Sequence, residues 1–233
     1  MSCFEEVKSN VNGKHIGNEL EYVCNVLNSE DRDGRKIPYV GKLEKKFANV
    51  IGAKYAIAHN SGTATLHTCL ASAGVGPGDE VISPAHTVIM CTFAILYQNA
   101  IPVYADIERD TFNIDPNDIE RKITDKTKAI IAVHMHGLPC NMNKIMEIAK
   151  RHNIAVIEDS AQCVLGSING EMVGTMGDMA SFSFETKKHL SAGEGGIVTT
   201  NNQNYATVIR KTGGLGYKTL AADQALRATL PEE

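Results

Sequence analysis

The sequence predicts an α/β protein whose mostly parallel sheet is covered by helices on both faces. From Lys54 onward, short and continuously apolar segments alternate with segments of helix length. Strands buried on both faces are apolar throughout, and parallel neighbours need a crossover helix between them. The 233 residues, of which 43% are hydrophobic and 21% charged, are enough to bury the core of such a fold.

Two helices are predicted before the first strand. In Glu19 to Leu27 and in Val40 to Ile51, apolar residues recur at helical spacing, and Gly52 ends the second helix. The polar residues 1–18 predict an irregular N-terminal arm, and residues 29–36 predict a charged loop.

The remaining chain is predicted to alternate between strands and helices. Asp115 followed by Pro116 is typical of a helix start, since an N-cap residue precedes proline at the first helical position. The predicted strands are residues 54–59, 80–83, 101–105, 128–133, 154–158, 179–184 and 196–200. The predicted helices are residues 64–73, 86–99, 116–123, 141–152 and 205–211.

Composition and charge exclude several function classes. The net charge is -4 and no long basic stretch occurs, so we expect neither nucleic acid nor an anionic membrane as a partner. No apolar run approaches the roughly 20 residues of a membrane helix, and the N-terminus does not resemble a signal peptide. The six cysteines have no CxxC spacing, so we expect free buried thiols in the cytoplasm and no metal site.

The stretch from Phe182 to Gly196, FSFETKKHLSAGEGG, is the centre of the predicted site. It places Lys187 and Lys188 between an apolar run and a glycine-rich turn. Upstream, Asp159 follows a predicted strand at the edge where open α/β sheets bind ligands. A carboxylate and a lysine at one such edge favour carbonyl chemistry, although a capping carboxylate and a solvated lysine would give the same pattern.

A second candidate site is the turn Asn60-Ser61-Gly62-Thr63, which joins a strand to a helix. The free N–H groups and the positive dipole end of that helix, at Gly62, Thr63 and Ala64, predict a phosphate site. Ser183 would add a hydroxyl group. An ordinary N-cap is the alternative.

Histidines lie near several predicted strand ends. His134 and His136 are two residues apart, which predicts that both imidazoles lie on one face of a strand. No carboxylate nearby in the sequence completes a metal set, so we expect these residues to be structural or to line the cleft.

Five motifs, in order, give the chain a family resemblance. They are NSGTATLHTCL, GVGPGDEVISPAHT, AIPVYADIERDTFNID, HGLPCNMNKIMEIAKRHNIAVIEDSAQ and FSFETKKHLSAGEGG. Together they cover most of residues 19–201. The chain resembles the DegT/DnrJ/EryC1/StrS family of nucleotide-sugar aminotransferases, which depend on pyridoxal 5'-phosphate (PLP) and have the three-layer α/β/α large domain of PLP fold type I.

The resemblance assigns roles to residues that match the family motifs. The lysine six residues before the glutamate of GEGG binds the cofactor covalently, and this residue is Lys188. Asp159 matches the acid that pairs with the ring nitrogen, and Gln162 matches the residue that contacts the ring hydroxyl. The phosphate cradle is matched by a serine and one short run, Ser183 and Gly62 to Ala64. Many members place an aromatic ring over the cofactor where this chain has Val88, so we expect stacking on the cofactor either to be weaker or to come from His86.

The resemblance also implies an activity and an organisation. Family members move an amino group from glutamate or glutamine to a keto-sugar linked to a nucleotide, and they act as dimers. Related sugar dehydratases have histidine in place of the lysine, so Lys188 argues against that alternative. We expect a PLP-binding large domain at residues 19–211 and a truncated tail at 212–233, with the small C-terminal domain largely absent. A non-catalytic binding module is therefore a third hypothesis.

Overall fold

A computed structural model describes residues 18–28, 39–214, 216 and 220–222. Most of the predicted arm, the charged loop and most of the predicted tail lie outside these residues. The helices are α1 Glu19–Leu27, α2 Tyr39–Ile51, α3 Gly62–Ser72, α4 Met90–Tyr97, α5 Pro116–Lys122, α6 Met142–His152 and α7 Gln203–Gly213. The strands are β1 Tyr55–His59, β2 Glu80–Pro84, β3 Ile101–Ala105, β4 Thr127–Val133, β5 Ala155–Asp159, β6 Ser167–Ile168, β7 Glu171–Met172, β8 Met179–Ser183 and β9 Gly196–Thr200.

Seven of the strands form one sheet in the order β1-β9-β8-β5-β4-β2-β3. All pairs from β8 to β3 are parallel, whereas β9 is antiparallel to both β1 and β8. The prediction of a mostly parallel sheet is therefore confirmed. The short hairpin of β6 and β7 was not predicted, because two-residue strands leave no periodic pattern.

Helices cover both faces of the sheet and bury two separate apolar cores. Neighbouring residues of β4 belong to opposite cores: Ile131 to the core that also contains residues of α3, α4 and α7, and Ile130 to the core that also contains residues of α5 and α6. A third cluster joins Phe47 of α2 to Phe182 of β8, whose rings meet edge to face at 5.0 Å. This arrangement is a three-layer α/β/α fold, as predicted.

The helix at residues 86–99 was predicted too long. The structure begins α4 at Met90, because the backbone N–H of Ala85 donates to the carbonyl of Ala105 and holds the preceding segment at the sheet edge. At α5 the prediction is confirmed: Asp115 is the N-cap, and its side chain accepts from the N–H of Asn117.

The described cysteines are free, as predicted. Four are buried and Cys24 is half-buried, while Cys3 lies outside the described residues. Within the described ranges, no helix is both long and apolar enough to cross a membrane.

Candidate active site

Lys188 lies in the loop that joins β8 to β9. Backbone hydrogen bonds close the loop at its base, from Phe184 N–H to the carbonyl of Gly195 (2.8 Å) and from Ala192 N–H to the carbonyl of Phe184 (2.9 Å). Since β8 is parallel to β5, the loop leaves the sheet at the edge where Asp159 ends β5. The antiparallel return of β9 thus holds the lysine beside the carboxyl ends of the parallel strands.

A cavity of about 330 Å³ brings two predicted site residues together. It is lined by Lys188 and Gln162, and also by His136, Ala161, Lys187 and His189. Lys188 is half-buried, whereas Lys187 is exposed. No carboxylate is among these lining residues, so the cavity suits an anionic ligand.

Gln162 is held by a turn that follows β4. Its side-chain oxygen accepts a hydrogen bond from the backbone N–H of His136 at 3.0 Å. His136 has a φ of 53°, in the left-handed region, within a short 3₁₀ turn. The prediction that His134 and His136 share one face of a strand was wrong, because β4 ends at Val133 and the chain turns there.

His134 belongs to a buried polar cluster behind the cavity. Its Nδ1 accepts from the N–H of Cys140 at 3.0 Å, so Nε2 carries the proton and donates to Glu158 Oε2 at 3.0 Å. Glu158 lies on the neighbouring strand, which is why the sequence around His134 gave no sign of a carboxylate. Among the residues described, no group of three or more histidine, cysteine or acidic side chains could hold a metal ion.

Asp159 ends β5 as a buried carboxylate, 7% exposed. Its Oδ1 accepts from the N–H of Ala161 at 3.0 Å, and its Oδ2 accepts from the thiol of Cys91 at 3.4 Å. Burial raises the pKa of Asp159, while the two hydrogen bonds and the charge of Lys188 act in the opposite direction. A buried carboxylate of this kind is stabilised by a cationic partner.

The first turn of α3 lies beside β8. Ser61 is the N-cap, and its Oγ accepts from the N–H of Ala64 at 3.1 Å. The backbone N–H groups of Gly62 and Thr63 have no acceptor among the described residues. An N-cap and free donors thus occur together at this helix start, and two of the three predicted free donors are free, because the Ala64 N–H is taken by Ser61.

Gly62 and Ser183, both predicted as phosphate ligands, lie against each other. A Cβ atom added to Gly62 would be 2.8 Å from the Cβ of Ser183, so glycine is required there by packing. Sequence reasoning missed Ser181, whose hydroxyl bonds to that of Thr65 at 2.6 Å and joins β8 to the same turn of α3. Because side chains alternate along a strand, the sequence of β8 indicates that Ser181 and Phe182 lie on opposite faces of the sheet, and this signal could have pointed to Ser181.

Val88 lies in the segment before α4 and is 45% exposed. The imidazole of His86 is exposed, with its ring centroid 6.5 Å from that of His136, which lines the cavity, and 6.0 Å from that of Phe112. His86 thus lies next to a residue that lines the cavity, although it is not itself part of the lining.

The comparisons with known proteins identify the class. The model of the DegT/DnrJ/EryC1/StrS aminotransferase family matches residues 14–230, and the chain belongs to this family. It is 43% identical over 202 residues to GDP-perosamine synthase of Caulobacter vibrioides, covering 86% of this chain and 54% of that protein. It is likewise 43% identical over 173 residues to the spore coat polysaccharide biosynthesis protein SpsC of Bacillus subtilis, covering 74% of this chain and 45% of that protein.

The fold is also found among solved structures. NtdA from Bacillus subtilis, crystallised with bound cofactor PMP, matches with a TM-score of 0.76 and 31% identity, over 89% of this chain and 48% of that one. The resemblance, the fold type and the PLP dependence of the family are therefore confirmed. The chain spans about half the length of the curated relatives it matches.

The residues present fit PLP. Asp159 is a buried carboxylate with neutral hydrogen-bond donors only, which suits a protonated ring nitrogen. The first turn of α3 offers free N–H groups to a phosphate, and Lys188 offers an amine to the aldehyde.

Proposed function

We propose that this chain forms the cofactor-binding part of a PLP-dependent sugar aminotransferase. Its amino donor would be L-glutamate or L-glutamine, and its acceptor a nucleotide-linked keto-sugar. The observation that carries the proposal is the meeting of Lys188 and Gln162 in one cavity beside the buried carboxylate of Asp159.

Each side chain has a distinct task in this proposal. Lys188 holds the cofactor covalently, and Asp159 keeps its ring nitrogen protonated. Gln162 contacts the ring hydroxyl, and its orientation is fixed by the His136 N–H. The phosphate is bound at the start of α3 through the free N–H groups of Gly62 and Thr63, with the help of Ser183. The N–H of Ala64, which was also predicted to contribute, donates to Ser61 instead.

The proton chemistry belongs to Lys188. When bound, PLP supplies an electron sink for the carbon that loses its proton. The amine of Lys188, once free, takes the proton from Cα of the amino donor at Nζ and acts as a general base. The electrostatic influence of Lys188 on Asp159 is consistent with both groups serving the same ligand.

The substrate class rests on the relatives. GDP-perosamine synthase and the spore coat polysaccharide protein, by their names, point to a nucleotide-sugar and to polysaccharide biosynthesis. We further propose a cytoplasmic homodimer in which the partner subunit completes the site. A sugar dehydratase is not favoured, because a lysine and not a histidine stands at position 188.

Absorbance spectroscopy with purified protein tests the proposal. PLP should give the protein a visible band that is absent in Lys188→Ala and present in Lys187→Ala, the matched control on the same loop. L-Glutamate or L-glutamine should bleach that band, and the donor that does so is the natural one.

Two results would contradict the proposal. A visible band that survives in Lys188→Ala but disappears in Lys187→Ala would assign the cofactor to the other lysine. Failure of the unaltered chain to bind PLP at all would leave a non-catalytic module as the better account.

A further inference from the structure

The carboxylate of Asp159 has two hydrogen-bond donors, and only one of them is backbone. The side-chain donor is Cys91, in the first turn of α4, whose Sγ lies 3.4 Å from Oδ2. The residue is 0% exposed. Its sulfur is also 3.5 Å from the hydroxyl oxygen of Thr87, which extends the chain of hydrogen bonds to the segment that precedes α4.

The thiol is protonated and is therefore a donor. Burial raises the pKa of Cys91 well above its ordinary value, and the adjacent carboxylate raises it further. A thiol is a weak donor, but one bonded to a charged acceptor in a dry interior contributes more than it would in water. The other groups that act on Asp159 are the N–H of Ala161, the charge of Lys188 and the nearby His134.

We propose that Cys91 is a positioning residue for Asp159. Its S–H bond fixes Oδ2, as the N–H of Ala161 fixes Oδ1, so that the carboxylate keeps its charge and one orientation toward the ring nitrogen of PLP. This inference rests on the proposed function. It assigns to α4 a role in cofactor binding that no motif around Cys91 indicates.

The chain contains a matched control in Cys69 of α3. It is also 0% exposed and lies in the same apolar core as Cys91. Its sulfur makes no hydrogen bond to Asp159 among the described residues. Cys69→Ala therefore removes the same atom from the same core and leaves the donor of Asp159 in place.

The test is the affinity for PLP, measured by absorbance titration between pH 5 and pH 8. We expect Cys91→Ala to bind PLP about 3- to 10-fold more weakly than Cys69→Ala, the loss of one hydrogen bond to a charged group. The acid-side midpoint of binding should also move to higher pH, because the lost thiol no longer favours the charged carboxylate. Cys91→Ser should stay within about 2-fold of the unaltered protein, since a hydroxyl donates in its place.

The outcomes separate this inference from the proposed function. Equal affinities and equal midpoints for Cys91→Ala and Cys69→Ala would overturn it, as would a Cys91→Ser midpoint as high as that of Cys91→Ala. Absence of PLP binding by the unaltered chain would instead refute the proposed function. Thermal unfolding of the apo variants shows which are folded; if Cys91→Ala is not, Cys91→Val is compared with Cys69→Val, since valine fills the site without a donor. An acid-side midpoint higher in Cys91→Val supports the role of Cys91, and equal midpoints overturn it.

Discussion

At the scale of single residues, two adjacent carboxylates at the end of β5 have different surroundings. Glu158 accepts from His134 and from the backbone N–H groups of Gly174, Met176 and Gly177 at distances of 2.7 to 3.0 Å. Asp159 accepts one N–H and one thiol. Because side chains alternate along a strand, Glu158 completes the fold on one face and Asp159 lies on the other, where we propose that PLP binds.

His59 gives the protein a pH dependence of stability. It bonds through Nδ1 to the carbonyl of Ile57 and through Nε2 to the hydroxyl of Thr68, and burial lowers its pKa from 6.5 to about 4. The unfolded chain therefore binds a proton below pH 6.5 that the folded chain binds only near pH 4. We expect this histidine to lower the free energy of unfolding by about 2 kcal/mol between pH 7 and pH 5.

Urea unfolding of the protein and of His59→Asn at the two pH values measures this effect. The variant should be less stable at pH 7 but should lose about 2 kcal/mol less on acidification. An equal loss in both proteins would mean that other groups cause the pH dependence.

At the scale of elements, the start of α3 is fixed by contact with β8. A side chain at position 62 meets Ser183, and the neighbouring N–H groups are those proposed for the phosphate. We expect Gly62→Ala to destabilise the fold by about 1–3 kcal/mol, as overpacking does, and to weaken PLP binding as the helix start shifts. Thermal unfolding and PLP titration measure the two effects.

Two further variants show whether the contact is the cause. Gly76→Ala is the control, because nothing lies within 4 Å of a Cβ atom added there. Gly62→Ala combined with Ser183→Gly should recover part of the lost stability, since the collision is relieved. If Gly62→Ala and Gly76→Ala lower the stability equally, the contact between position 62 and Ser183 is not the cause, and glycine is preferred at position 62 only for chain flexibility.

The prediction of elements from sequence succeeded where local chemistry decides. The strand at 196–200 and the cap at Asp115 were correct because each depends on residues next to each other in the chain. The helix at 86–99 failed because an apolar run does not distinguish a helix from a segment bonded across to β3. In the site, motif counts chose Lys188, whereas the contacts of Cys91 with Asp159 and of Ser181 with Thr65 join residues far apart in the chain and were found only in the structure.

At the scale of the whole molecule, a buried ion pair joins the two ends of the described chain. Arg210 of α7 donates to both carboxylate oxygens of Glu44 of α2 at 2.6 and 2.9 Å, and each residue is at most 7% exposed. The N–H of Ala58 in β1 donates to the same carboxylate, and the carbonyl of Ala222 accepts from Arg210 at 3.4 Å. Two helices, an edge strand and the last described segment thus share one charged contact.

Replacing one residue of this ion pair should lower the free energy of unfolding more than replacing both. Arg210→Met leaves a buried carboxylate without its counter-charge, and we expect a loss of about 3–5 kcal/mol in the free energy of unfolding. Glu44→Gln combined with Arg210→Met should be more stable than Arg210→Met alone, because no charge is then buried. Urea unfolding of the set gives the coupling energy, and strictly additive losses would contradict the prediction.

The position of β9 between β1 and β8 also determines the order in which the chain can assemble during its synthesis. Among the described strands, β1 pairs only with β9, so the first of these strands to leave the ribosome has no partner in the sheet until the last of them emerges. At roughly 5–20 residues per second, that interval is on the order of ten seconds. The loop with Lys188 directly precedes β9, so the lysine proposed to hold PLP is synthesised only just before the exposed edge of β1 is covered. Translation that pauses before residue 196 should therefore expose an unpaired strand and favour aggregation.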